Sequence, residues 1–164
     1  MKKLSVLICS MLALSGFMAT TVQAQSPHFL RCGASGVNND GSLNATFKIA
    51  GLGDTTLVTV TASATADAIY GCLNHGGQCP NAANKVEVKS NVTASGSFPS
   101  GKNGSVQASL TVDPPPTSLT CPGGQKLVLV SVSYTNVSLS SDASADTCTT
   151  SPNTFAANFF PQCP

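Results

Sequence analysis

Apolar and polar residues alternate along most of the chain after its first two dozen positions. Apolar side chains occupy every second position of residues 43–49, and the even positions of residues 58–72 keep one parity. The same period returns in residues 86–98 and 106–112. A period of two predicts β-strands with one buried face. Because the second run is long for one strand, we expect a break or bend near residues 64–67.

Turn signals and continuous apolar runs complete this pattern. Residues 86–98 fit two short strands or one bent strand, and Asn103-Gly104 predicts a hairpin leading into the strand at 106–112. Three consecutive prolines, residues 114–116, end that strand because proline cannot donate to a ladder. Residues 127–132 are apolar on both parities, which predicts a central strand covered on both faces.

The order of these elements indicates the fold class. Residues 137–139 and 155–160 supply the last apolar segments, and no segment has a sustained apolar stripe at helical spacing. The sequence therefore predicts an all-β protein, an immunoglobulin-like antiparallel β-sandwich of seven or eight strands stabilised by disulfides. A small barrel is the alternative.

The beginning of the chain has the features of a secretory signal peptide. Lys2 and Lys3 precede the apolar stretch 4–18, and Val22-Gln23-Ala24 places small or apolar residues at the cleavage positions. We expect residues 1–24 to be removed and residues 25–164 to form a single secreted domain, extracellular or periplasmic. The apolar run is too short for a membrane span, so we expect no membrane anchor.

Cysteine usage agrees with export. Cys9 leaves with the signal, and six cysteines remain: Cys32, Cys72, Cys79, Cys121, Cys148 and Cys163. An even number in an oxidising compartment predicts three disulfides, and no C-x-x-C pair offers the usual zinc spacing. The short loop after Cys72 favours a bond between Cys72 and Cys79. Chain position then suggests Cys32 with Cys163 and Cys121 with Cys148, among fifteen possible connectivities.

Charge excludes one class of partner. Without Lys2 and Lys3, six basic residues face seven acidic ones, and the basic residues are scattered along the chain. Nucleic-acid binding requires clustered Lys and Arg, so we expect no such partner. We expect a monomer with an unknown extracellular partner or ligand.

Few residues suggest chemistry. His75, in a glycine-containing loop, and His28 are the histidines left for proton transfer, but no catalytic motif accompanies them. Residues 142–146 offer oxygens at alternating positions, as the start of a calcium-binding loop does. The glycine and the terminal glutamate of such a loop are missing here, which favours a solvated loop without calcium. Residues 38–41 are explained by an Asx turn. We therefore expect no catalytic residues, no metal and no cofactor.

Four segments resemble a group of small secreted bacterial proteins without assigned function: Ala50–Asp54, Ala82–Lys85, Gly101–Gly104 and Val132–Val137. This resemblance implies export and a single domain. The order of elements, with a strand such as Gly104–Val112, is also similar to the enediyne-binding apoproteins. That second likeness implies an immunoglobulin-like sandwich and rests on fold-level analogy.

These observations favour a non-catalytic secreted module with a binding or structural role. Its polar loops, residues 74–82 and 114–124, are the surfaces it is expected to present. A small-molecule carrier with a cleft between the sheets is one alternative. A secreted hydrolase that uses His75 or His28 is another.

The signal peptide makes a direct prediction about the exported product. We expect intact-mass spectrometry of the protein recovered after export to give a chain that begins at Gln25. A recovered chain that still carries Met1–Ala24 would contradict the assignment.

Overall fold

A computed structural model describes residues 26–54, 56–79 and 84–161 of the chain. The predicted signal peptide, residues 1–24, lies outside the described residues. Within them the protein is all-β, with two antiparallel sheets. The strands are β1 His28–Val37, β2 Leu43–Ala50, β3 Leu57–Leu73, β4 Lys85–Pro99, β5 Val106–Val112, β6 Lys126–Ser141, β7 Ser144–Thr149 and β8 Phe155–Asn158.

The two sheets divide the strands unequally. The smaller sheet has the order β1-β2-β5, and the larger has the order β4-β3-β6-β7, with β8 also pairing with β6. One edge of β6 pairs with β3. Its other edge pairs with β7 and, further along, with β8. All pairs are antiparallel.

The core lies between the inner faces of the sheets. On β3 the even positions from Val58 to Ala68 are buried, and four of them are alanines. Small side chains at these positions leave room for large, fully buried ones, such as Phe47 of the other sheet and Tyr134 of the neighbouring β6. Phe47 also meets Phe98 of β4 edge-to-face, with ring centroids 5.2 Å apart. This contact links the two sheets.

A bulge explains why β6 changes parity. Val132 and Tyr134 face the core, but the next buried residue is Val137. The register with β3 shifts at this point, and Asn136 has a φ of 56°. Asparagine tolerates this left-handed conformation better than most residues. The extra residue turns the rest of β6 back toward the core.

Tyr134 connects the sheets by a hydrogen bond as well as by packing. Its hydroxyl donates to the Gly41 carbonyl at 2.7 Å, in the turn between β1 and β2. Gly41 has a φ of 90°, and a Cβ there would strike Leu129. Burial raises the pKa of Tyr134, with a smaller contribution from the charge of Asp113. The buried hydroxyl is therefore satisfied and neutral.

The structure decides between the alternatives left open for two strands and corrects one detail of a third. The run at 58–72 forms one strand without a break, although the β3–β6 register shifts between Ser63 and Thr65. Residues 86–98 belong to the single strand β4. β6 is central as predicted, but Leu127 is 41% exposed because it lies at the strand's beginning, beyond the buried core.

The predicted hairpin at Asn103-Gly104 is wrong. A tight turn does form there, with Gly104 at a φ of 60°, but β4 pairs with β3 while β5 pairs with β2. The turn therefore crosses from one sheet to the other. It is held by the β2–β3 connection, since the Leu52 amide donates to the Gly104 carbonyl at 2.9 Å.

The disulfide pairing predicted from the sequence is also wrong. Cys32 bonds to Cys148, which ties β1 of the small sheet to β7 of the large one, and Cys72 bonds to Cys121. Cys79 is disulfide-bonded as well, and Cys163 lies outside the described residues. Strand packing decides the Cys32–Cys148 bond, because β1 lies against β7 in the folded protein.

The Tyr134 bond gives a stability prediction. Replacing Tyr134 with Phe leaves the Gly41 carbonyl without its donor, and we expect a loss of about 1–2 kcal/mol in the free energy of unfolding, measured by denaturant titration. Tyr70→Phe is the control, because the Tyr70 hydroxyl donates to the Pro115 carbonyl at 2.6 Å from a less buried position. An equal or larger loss in the control would contradict the central role of Tyr134.

The same variant tests the raised pKa. A tyrosine whose folded pKa lies above its ordinary value of 10.0 contributes stability that is full below pH 10 and is lost as the pH rises through the folded pKa. The stability of the Tyr134→Phe variant should therefore fall less steeply above pH 10 than that of the wild type.

Candidate functional site

Two loops meet at one end of the sandwich and enclose a notch of about 420 Å³. One loop follows β3 and the other precedes β6. The notch is lined by Leu73, Asn74, His75, Gly77, Gly124, Gln125 and Lys126. Asn74, His75, Gly77 and Gly124 belong to the two polar loops expected from the sequence, and the other three residues adjoin those loops at the end of β3 and the start of β6. Residues 80–82 of the first predicted loop lie outside the described residues.

Strand pairing and a disulfide bring the loops together. Leu73, the last residue of β3, is the register partner of Lys126, the first residue of β6. One position back, the fully buried Cys72 bonds to Cys121 in the second loop. The two loops are therefore fixed to each other both by the sheet and by a covalent link.

Asn74 gives the first loop its shape. Its side-chain Oδ1 accepts hydrogen bonds from the amides of Gly76 at 3.0 Å and Gln78 at 2.9 Å. The backbone N–H of Asn74 donates to the backbone carbonyl of Gln78 at 3.2 Å, and the backbone carbonyl of Asn74 accepts from the Gly77 N–H at 3.0 Å. This is an Asx-type turn in which one side chain organises the backbone. The segment is thus ordered without a regular element.

Basic and amide side chains determine the chemistry of the notch. His75 and Lys126 line it, and no carboxylate is among its lining residues. The ring of His75 lies against Gly124, where an added Cβ would be 3.7 Å from Nε2. Gln125 Oε1 is buried and has no hydrogen-bond partner among the described residues. The notch can therefore offer a bound group a positive charge and hydrogen-bond donors, and it also contains one free acceptor, Gln125 Oε1.

A second depression lies on the outer face of the large sheet. It has a volume of about 490 Å³, and its floor is formed partly by the small residues Ser131, Ser133 and Ala156. Asp67 and Glu87 line it as well. It is open, and it is acidic where the notch is basic.

Hydroxyl groups cover the rest of that outer face. Thr61 of β3 lies 2.8 Å from Ser95 of β4, oxygen to oxygen, and Thr65 donates to Asn91 Oδ1 at 3.0 Å. These cross-strand bonds hold the side chains of neighbouring strands together. They follow from the alternation in β3, which places a polar residue at every outward position between Thr59 and Asp67.

The other candidate residues from the sequence are dispersed. His28 stands at the start of β1, and its Nδ1 is bonded to the Ser26 carbonyl at 2.8 Å. Asp142 accepts the Thr59 amide at 2.9 Å, which fixes the turn between β6 and β7 to β3. Asp146 lies on β7, where the sequence analysis favoured a loop. Among the described residues, no group of three or more His, Cys, Asp or Glu is placed to hold a metal ion.

Residues 38–41 form the expected turn. Asp40 Oδ1 accepts the Ser42 hydroxyl at 2.7 Å and the Ser42 amide at 2.9 Å. The bond from the Ser42 hydroxyl, followed by the one from its amide, lowers the pKa of Asp40. This carboxylate is therefore engaged in the turn that also presents Gly41 to Tyr134.

Comparison with known proteins gives no relative. No family model matches the sequence, and no curated protein or solved structure matches significantly. In the part of the chain that the structure covers, no helix is long and apolar enough to cross a membrane. The functional assignment therefore depends on the site itself.

The Cys72–Cys121 bond makes a prediction about the notch. Replacing both cysteines with alanine removes a link between residues 49 positions apart, for which the chain-entropy model gives about 4 kcal/mol. We expect a measured loss of about 2–4 kcal/mol and faster hydrogen exchange of the amides at 73–79 and 122–126. The control, Cys32→Ala with Cys148→Ala, should lower stability by a similar amount without this local change. Unchanged exchange at the notch in the first variant would contradict the proposed role of the bond.

Proposed function

We propose that the protein is an exported, non-catalytic β-sandwich module with immunoglobulin-like topology, which binds a partner outside the cytoplasm through the loop notch. The observation that carries this proposal is the covalent and sheet-based joining of two polar loops, distant in sequence, at one end of the sandwich. Such loops, positioned by a rigid scaffold, are common binding surfaces.

The strand order supports the immunoglobulin-like topology. If β1 to β7 are lettered A to G, strands A, B and E form one sheet, and C, F and G belong to the other. This is the division of an immunoglobulin constant-type sandwich, except that the fourth strand lies beside C instead of E. β8 then continues the seventh strand along β6.

The disulfides support an oxidising location. Cys32–Cys148 and Cys72–Cys121 are compatible with the extracellular space or a bacterial periplasm. Together with the predicted signal peptide, they favour a protein that works after export.

The lining of the notch favours a partner that carries carboxylates. Lys126 is exposed and provides a charged donor, and His75 adds a second basic group. Leu127, beside the notch, is 41% exposed and offers apolar contact area. An exposed apolar residue next to ordered polar groups is the usual composition of a small interface. The acidic depression on the sheet face suits such a partner less well.

A charge-reversal experiment tests the proposal. The mature protein, immobilised with its disulfides intact, is used to recover partners from the medium or periplasm of its source, with quantitative mass spectrometry as the readout. We expect partners recovered by the wild type to be depleted about tenfold with Lys126→Glu, because an attractive charge becomes a repulsive one.

Lys102→Glu is the matched control, since Lys102 is exposed in the β4–β5 turn, away from the notch lining. It makes the same change of net charge and should recover the same partners as the wild type. Equal recovery by Lys126→Glu would exclude the notch as the binding surface.

A further inference from the structure

The free edge of β4 is the longest unpaired strand edge in the described part of the protein. β4 has fifteen residues, and it pairs with β3 along its whole length without a register shift. It ends the larger sheet, so its second edge has no strand partner among the described residues. A long, regular edge of this kind is a template for another strand.

The outward face of the first half of β4 is charged. Glu87 and Lys89 are both exposed and lie opposite Ile69 and Asp67 of β3. Glu87 has no charged residue opposite it on β3, and Lys89 lies opposite Asp67. Both side chains are exposed, so each can also reach a charge placed beside the free edge.

The opposite face of the same half is apolar and incompletely covered. Val86 and Val88 point to the core side but are only partly buried, and they lie outside the cluster that fills the core. Val92 and Ala94, further along, pack against that cluster. The first half of β4 thus has an apolar face that the described part of the chain does not fully cover.

We propose that this edge pairs antiparallel with the same edge of a second copy, centred on Val88. In this register Val88 meets Val88 of the other copy, and Glu87 of each copy lies opposite Lys89 of the other. The register keeps the apolar faces on one side and the charged faces on the other, because the side-chain period is two. The interface is self-complementary, as a twofold dimer requires.

The charges select this register over its neighbours. Centring the pair on Glu87 would place the two Glu87 carboxylates directly opposite each other, and centring it on Lys89 would do the same for two ammonium groups. Like charges directly opposite destabilise a strand pair, and opposite charges stabilise it. Seven residues of each strand, 85–91, overlap in the selected register. Such an interface is small, so the dimer is expected to be weak and dependent on concentration and salt.

Charge exchange tests the pairing by sedimentation equilibrium at low ionic strength. The wild type should show a monomer–dimer equilibrium. Glu87→Lys and Lys89→Glu should each raise the dimer dissociation constant about tenfold or more, because two attractive pairs become repulsive. Asp146→Lys and Lys102→Glu are the matched controls; both sites are exposed and lie outside β4, and these variants should behave as the wild type.

Two rescues separate loss of pairing from loss of folding. The double variant Glu87→Lys/Lys89→Glu restores both opposite-charge pairs and should dimerise as the wild type does. An equimolar mixture of the two single variants should form a heterodimer, since every pair across it is then attractive. A wild type that stays monomeric at all concentrations would overturn the proposal, and so would single variants that dimerise normally or a failure of both rescues. The sequence analysis expected a monomer, and a wild type that stays monomeric would agree with that expectation.

Discussion

The alternation along β3 is the constraint on which the rest of the structure depends. β3 is seventeen residues long and has a strand on each side, β4 and β6, over most of its length. From Val58 to Ala68 its inward residues are valines and alanines that accept the large side chains of the core, and from Thr59 to Asp67 its outward residues are hydroxyl or charged groups. A slip of one residue would exchange these faces, burying polar groups and exposing the core. The register of the larger sheet is therefore fixed by one strand.

Two devices adapt the other strands to this register. The bulge at Asn136 restores the inward parity of β6, so Val137 and Leu139 complete the core beside Ala62 and Ala64. Tyr134, just before the bulge, joins β6 to the turn at Gly41 in the small sheet. The covalent link Cys32–Cys148 joins the sheets at another place. The sandwich is thus held by packing, by a buried hydrogen bond and by a disulfide.

Local sequence patterns predicted the strands and turns, which depend on local interactions. They did not predict the strand partners and the disulfide pairing, which depend on tertiary contacts. Alternation predicted the all-β class and the positions of β2, β3, β4 and β5, because one buried face imposes it. Asn103-Gly104 predicted the turn correctly but not its partners, since β5 finds its ladder on β2. Sequence proximity suggested that Cys72 bonds to Cys79, whereas the fold places Cys121 beside Cys72. At the notch, His75 was anticipated, but Lys126 and Gln125 were missed because no local spacing connects them to it.

The edges of the two sheets explain why β4 differs from the other outer strands. β1 has two register shifts, β5 has seven residues, and β7 and β8 are short and separated, all features that discourage a foreign strand. β4 has none of them. Its charges act against unspecific pairing, since registers centred on Glu87 or Lys89 place like charges together, while the register centred on Val88 places opposite charges together over seven residues. The exposed charges of Glu87 and Lys89 thus protect this long edge from aggregation, while their order suits it to pairing with a second copy.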